Sequence, residues 1–147
     1  MTNNNPATEV LRHKYVVSAD DFASAGAASA AVKKTLKQLG FSPDTIRRTS
    51  IAMYEGEINT VIHGGGGIAE VEVAEDSVTI TLTDEGPGIA DIDLAMQEGF
   101  STATESVREL GFGAGMGLPN IKKQSDDFSI TSELGKGTTL VIKIYAN

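Results

Sequence analysis

Apolar and polar positions change period several times along the chain, and each change marks an element. Residues 10–17 (VLRHKYVV) alternate loosely and are rich in β-branched side chains, which predicts an edge strand. Residues 22–39 follow a helical pattern, with Asp20 or Asp21 as the cap, an alanine- and serine-rich middle suited to close packing, and Gly40 as the stop. Ser42-Pro43-Asp44 opens a second helix, with a cap residue followed by proline in the first turn, running from residue 43 to about 63. Ile51, Glu55, Ile58 and Ile62 follow the i, i+4, i+7, i+11 rule and share one stripe, read as facing the core. Gly64 to Gly67 breaks the helix. Residues 68–73 and 78–82 then alternate with period two, joined by Glu75-Asp76-Ser77 as a hairpin turn. A short helix over residues 92–96 ends near Gly99, and another helix follows Gly117 with Leu118 and Ile121 inward. Strands over residues 128–132 and 138–145 are joined by a turn at Gly135-Lys136-Gly137.

The 147 residues suggest a single domain over residues 10–147, preceded by a polar, disordered tail over residues 1–9. Cysteine is absent, which excludes disulfides, thiolate metal sites and a cysteine nucleophile. No apolar run is long enough for a membrane span and no leader is visible, so the expectation is a cytoplasmic protein with no membrane association. Acidic residues outnumber basic ones 20 to 12, giving a net charge of −8. That balance disfavours nucleic acid as a partner.

The candidate chemistry clusters around two glycine-rich corners. Asp84-Glu85-Gly86-Pro87-Gly88 closes the second hairpin strand, and Gly111-Phe112-Gly113-Ala114-Gly115-Met116-Gly117-Leu118-Pro119 precedes a helix. Closely spaced glycines let backbone N–H groups turn toward a ligand, and the N-terminus of the following helix favours phosphate. The same glycines also mark ordinary turns. The polar span from Ser101 to Glu109 between the corners reads as a lid, with Ser101, Thr102 and Arg108 available to phosphates or simply solvated. Glu55 either reaches water at the edge of its stripe or, with Asn59 one turn later, lines the floor of the pocket. An amide oxygen suits Mg²⁺, and a neighbouring carboxylate suits general-base work. Asp84 either caps its turn or accepts from an exocyclic amine, which favours adenine over guanine. Glu57 points along a different line, with Ser50, Tyr54 and Val61, and His13 reads as a surface residue of the first strand.

Together these pieces resemble the GHKL superfamily of gyrase, Hsp90, histidine kinase and MutL ATPases, over residues 43–144. Glu55 to Asn59 with His63 resembles its E-x-x-x-N-x-x-x-H box, Asp84 to Gly88 its D-x-G-x-G box, Gly113 to Leu118 its second glycine box, and Gly135 to Thr139 its G-x-G-T-T turn. Within the superfamily, Glu98-Gly99-Phe100-Ser101-Thr102, Gly115-Met116-Gly117-Leu118-Pro119 and Asp126-Asp127-Phe128-Ser129-Ile130 are most similar to the small RsbT-type serine/threonine kinases of bacterial sigma-factor switches. The anti-sigma kinases of the RsbW and SpoIIAB type are next, and the lid from Ala103 to Phe112 is longer than the RsbT pattern. The resemblance implies an α/β (α+β) sandwich of the histidine-kinase-like ATPase type, with a mixed, largely antiparallel sheet and helices on one face. It implies ATP and Mg²⁺ as cofactors, with Glu55 as the base and Asn59 as the Mg²⁺ ligand. Asp84, Gly86, Gly88 and Thr138 would hold the adenine side, and Ser101, Thr102, Gly113, Gly115, Met116, Gly117 and Leu118 the phosphate side. It implies a STAS-domain partner as substrate, with a sigma factor or a phosphatase as further candidates, and leaves a homodimer open. The alternative function is a weakly catalytic or non-catalytic ATP-binding anti-sigma module.

Overall fold

The computed structural model describes residues 10–18, 26–62, 65–89, 96 and 117–146. The elements are β1 (Leu11–Ser18), α1 (Ala27–Gln38), α2 (Pro43–Ile62), β2 (Gly66–Val73), β3 (Ser77–Asp84), α3 (Gly117–Gln124), β4 (Asp127–Glu133) and β5 (Gly137–Tyr145). They build a five-stranded sheet in the order β1-β2-β3-β5-β4, with β1 at an edge as expected. All four pairings are antiparallel, so the sheet holds no parallel pair among the described residues.

Strict alternation decides which face is covered. Ala69, Val71 and Val73 of β2, Val78, Ile80 and Leu82 of β3, and Leu140, Ile142 and Ile144 of β5 are all nearly inaccessible and form one core with α1, α2 and α3. The opposite face carries Arg12, Lys14, Glu70, Glu72, Thr83 and Ser129, which remain exposed. A one-residue slip would exchange the two sets, so burial fixes the register.

Three boundaries differ from the sequence expectation. The first helix begins at Ala27, because Gly26 adopts a left-handed φ of 99° that no helix interior accommodates. Ser77 already belongs to β3, leaving Glu75 and Asp76 as the turn, closed by the Ala74 N–H donating to Ser77 O at 2.9 Å. Gly66 and Gly67 lie within β2 rather than in the break before it. The tail over residues 1–9, the Asp20 or Asp21 cap and most of the short helix at 92–96 lie outside the described residues; Met96 itself packs against the core.

The long helix α2 is also turned differently from the expectation. Its deepest positions are Thr45, Thr49, Ala52 and Met53, each fully buried, followed by Thr60. Ile51, Glu55 and Asn59 flank that line and are half-buried. Small residues let α2 lie close to the sheet: a Cβ added at Gly56 would overlap Leu82 of β3. A search for large apolar side chains at helical spacing passes over such a contact, because threonine, alanine and glycine carry it.

Candidate functional site

The best-defined part of the site is the meeting of β3 and the β4–β5 hairpin. Asp84 ends β3 and pairs in register with Thr138 of β5. One oxygen of its carboxylate, Oδ1, accepts the N–H of Gly86 at 2.9 Å and the N–H of Thr138 at 3.2 Å. Those two bonds orient the group, and no hydrogen bond to Oδ2 is made among the described residues.

The corner around Asp84 is stitched to the hairpin. The Gly135 N–H donates to Pro87 O at 2.9 Å, and the Ile89 N–H donates to Ser132 Oγ at 2.6 Å. Ser132 Oγ also bonds Gly137 O at 3.1 Å and lies 2.9 Å from Thr138 Oγ1. Gly88 (φ 80°) and Gly137 (φ 131°) both occupy conformations closed to most side chains. A Cβ on Gly88 would enter the Glu133 carbonyl, and one on Gly137 would enter the Asp84 carbonyl. The D-x-G-x-G and G-x-G-T-T segments thus form one packed corner, with glycine required where the two backbones touch.

The second part is the C-terminal half of α2. Glu55 and Asn59 stand one turn apart on its flank, and neither has a side-chain partner among the described residues. Burial disfavours the charged carboxylate and pushes the Glu55 pKa up from its ordinary value. Arg48, seven residues before Glu55, marks the direction of this flank. Its Nε donates to Gln124 O at the end of α3 at 3.1 Å, and its guanidinium meets Asp126 at 3.0 Å. The flank bearing Glu55 therefore borders α3. At the far end of α2, a Cβ on Gly67 would lie 3.1 Å from both Thr60 Cγ2 and Asp84 Cα. Thr60, adjacent to Asn59, therefore sits over the end of β3 that carries Asp84.

Of the expected site residues, the structure brings together Asp84, Gly86, Gly88 and Thr138, and sets Glu55 and Asn59 on the helix above them. Gly117 opens α3. Leu118 is 7% exposed and packs into the hydrophobic core from the first turn of that helix. Ser101, Thr102, Gly113, Gly115 and Met116 lie outside the described residues, as do His63 and Arg108.

Glu57 has a role that sequence reasoning missed. It is 3% exposed, and its carboxylate accepts the backbone N–H groups of Gly26 at 2.8 Å, Ala28 at 3.3 Å and Ser29 at 2.9 Å. A side chain of α2 thus caps the N-terminus of α1. The available signal was the cap itself: Gly26 has no side chain, and the first turn of α1 holds no acid.

Residues 44–147 match the family described as histidine kinase-, DNA gyrase B- and HSP90-like ATPase. The serine/threonine-protein kinase RsbT of Bacillus subtilis (strain 168) is 34% identical over 112 residues, covering 74% of this chain and 78% of that protein. The anti-sigma F factor of Clostridium beijerinckii is 34% identical over 122 residues, covering 79% and 82%. The solved RsbU and RsbW domains of a Mycobacterium tuberculosis protein share the fold at a TM-score of 0.63 and 16% identity. That match covers 93% of this chain, which spans 33% of the other.

Proposed function

Because the chain belongs to the histidine kinase-, DNA gyrase B- and HSP90-like ATPase family, we propose that it is an ATP- and Mg²⁺-dependent serine/threonine protein kinase of a bacterial partner-switching pathway, with a STAS-domain protein as substrate. The observation that carries this reading is the half-buried Glu55 carboxylate, unpartnered among the described residues and one turn before an equally unpartnered amide. A carboxylate on the flank of a helix with no structural partner is poised to take a proton.

The residues present fit the ligands. Asp84 offers Oδ2 to an amine while Oδ1 is held by backbone, so it accepts from adenine and discriminates against a carbonyl at the same place. Asn59 supplies the neutral oxygen that suits Mg²⁺. Bound Mg²⁺–ATP supplies the phosphoryl group and the charge compensation for its transfer. Glu55 removes the proton of the attacking serine or threonine hydroxyl, and its raised pKa makes it the stronger base. Gly117 opens α3, whose N-terminus suits phosphate, and Gly113, Gly115, Met116, Ser101 and Thr102 are assigned to the phosphate side by the likeness of their motifs alone; Leu118 secures that helix to the core.

Calorimetric titration with ATP, ADP and GTP, with and without Mg²⁺, tests the pocket. Adenine-selective binding that disappears in Asp84→Ala is expected, as is loss of the Mg²⁺ dependence in Asn59→Ala. Binding of GTP as tight as ATP would remove the assigned role of Asp84. Phosphoryl transfer to a STAS-domain protein should fall by about 10²–10⁴ in Glu55→Gln, with nucleotide affinity retained.

The anti-sigma relative favours a second reading, in which the chain is a nucleotide-dependent anti-sigma module with a sigma factor as partner; a homodimer is compatible with either reading. Glu55→Gln separates the two: it leaves partner capture intact in the second reading and eliminates output in the first.

A further inference from the structure

A groove of about 560 Å³ runs between the C-terminal half of α1 and the N-terminal half of α2. Phe41, Ile46 and Ile51 give it an apolar floor, and Lys33, Lys37 and Arg47 stand along its sides. Ile46 is 8% exposed, Phe41 packs against the core, and the three cations are exposed.

The charge of this groove is opposite to that of the chain. The protein carries 20 acidic residues against 12 basic ones, yet α1 (AASAAVKKTLKQ) holds three lysines and no acid. Lys33 and Lys37, one turn apart, make no ion pair among the described residues. Among the described residues Arg47 pairs only with Asp44, at 2.9 Å within its own helix, and both side chains are more than half exposed. Such exposed pairs are weak, so the guanidinium can exchange partners at little loss. No acid among the described residues lines the groove, and the loop that closes it, Leu39 to Ser42, has none.

We propose that this groove docks an acidic amphipathic helix of a partner protein. Leucine- or isoleucine-type side chains would enter over Phe41, Ile46 and Ile51, and carboxylates on the flanks of that helix would meet Lys33, Lys37 and Arg47. The mode is a helix laid into a groove between two helices, with apolar anchors giving affinity and charge giving orientation and capture rate. The rest of the chain is net acidic, so long-range repulsion favours approach of an acidic partner through the groove. This surface lies on the α1 side of the N-terminal half of α2, with Ile51 at its edge one turn before Glu55, and the inference stands whether or not the chain transfers phosphate.

The test uses the full chain and a fluorescently labelled helical peptide with leucines at i, i+3, i+4 and i+7 flanked by glutamates. A second peptide carries glutamine in place of every glutamate. Anisotropy titration is expected to show the glutamate peptide binding at least about tenfold more tightly, a difference of about 1.4 kcal/mol, and weakening as salt rises. The double variant Lys33→Glu/Lys37→Glu should lose that binding, and Arg47→Gln should weaken it. Lys143→Glu, a charge reversal on the open face of the sheet, should not change it. ATP titration of each variant reports separately on the nucleotide site and on folding. Equal affinity for the two peptides, or unchanged binding in the double lysine variant, would overturn the proposal. A wild-type dimer that dissociates in the double variant would assign the groove to self-association, and an oligonucleotide that displaces the peptide would assign it to nucleic acid; either result overturns it.

Discussion

Two glutamates two residues apart on α2 have opposite roles. Glu55 is half-buried without a partner, and its carboxyl holds its proton to higher pH than in the unfolded chain because burial disfavours the anion. The folded state therefore binds that proton more tightly. Stability from this group is fully present below the unfolded-state pKa and is lost as pH rises through the folded-state value. Glu55→Gln should accordingly raise the melting temperature near neutral pH, with the gain vanishing in acid, as a thermal scan across pH would reveal. A lower melting temperature at neutral pH would show that the carboxylate has a stabilising partner. Glu57 behaves in the contrary way. Its three backbone N–H donors would be left unsatisfied in Glu57→Ala, at a loss of about 3 kcal/mol, measurable by urea unfolding. Glu57→Gln should lose less, since its amide oxygen still accepts. Sequence spacing separated Glu55 with Asn59 from Glu57, because helical periodicity assigns them different lines. It could not reveal the α1 cap, which depends on where a distant helix begins, nor the orientation of Asp84 by Thr138, which depends on the pairing of β3 with β5.

At the level of elements, α3 is positioned from both ends. Its first residue follows the glycine-rich segment, and its last carbonyl, that of Gln124, accepts from Arg48. Asp126, just beyond it, is held below the ordinary carboxylate range first by the backbone N–H of Tyr145 and then by Arg48. A cation at a helix C-terminus also opposes the helix dipole. Arg48 thereby ties the far end of α3 to the helix carrying Glu55 and Asn59. Arg48→Ala should raise the KM for ATP several-fold while changing kcat less, and Arg48→Lys, which keeps charge but cannot make both contacts, should recover only part of the affinity. An unchanged KM would limit Arg48 to stability. The strands and α2 were legible in the sequence because their alternation and caps are local. The start of α1 was not, because Gly26 reads as one small residue among several alanines. The stripe on α2 was legible only in part: Ile58 is buried as expected, but the deepest line runs through Thr45, Thr49, Ala52 and Met53, mostly small or polar residues that a search for large apolar side chains passes over.

At the scale of the whole molecule, the described residues form one antiparallel sheet with their helices on one face, and its centre is built from distant parts of the chain. Strand β5 lies between β3 and β4, so Val78, Ile80 and Leu82 find their cross-strand neighbours in Ile144, Ile142 and Leu140. A chain ending at residue 136 would keep both β1–β2 and β2–β3 pairings yet leave the core of β3 bare on one side. It should show no cooperative unfolding transition in urea, whereas the full chain unfolds as a unit. A sigmoidal transition in the shortened chain would show that the first three strands and α2 suffice.

That placement has a consequence during protein synthesis. The strand that completes the sheet leaves the ribosome after all the others described, and the carbonyl of Asp84 waits beside an empty lane until Gly137 arrives. From the time β3 is made until β5 follows, the nascent protein therefore presents the unpaired edge of an apolar strand to the cell, and the corner around Asp84 closes only when the β4–β5 hairpin is in place.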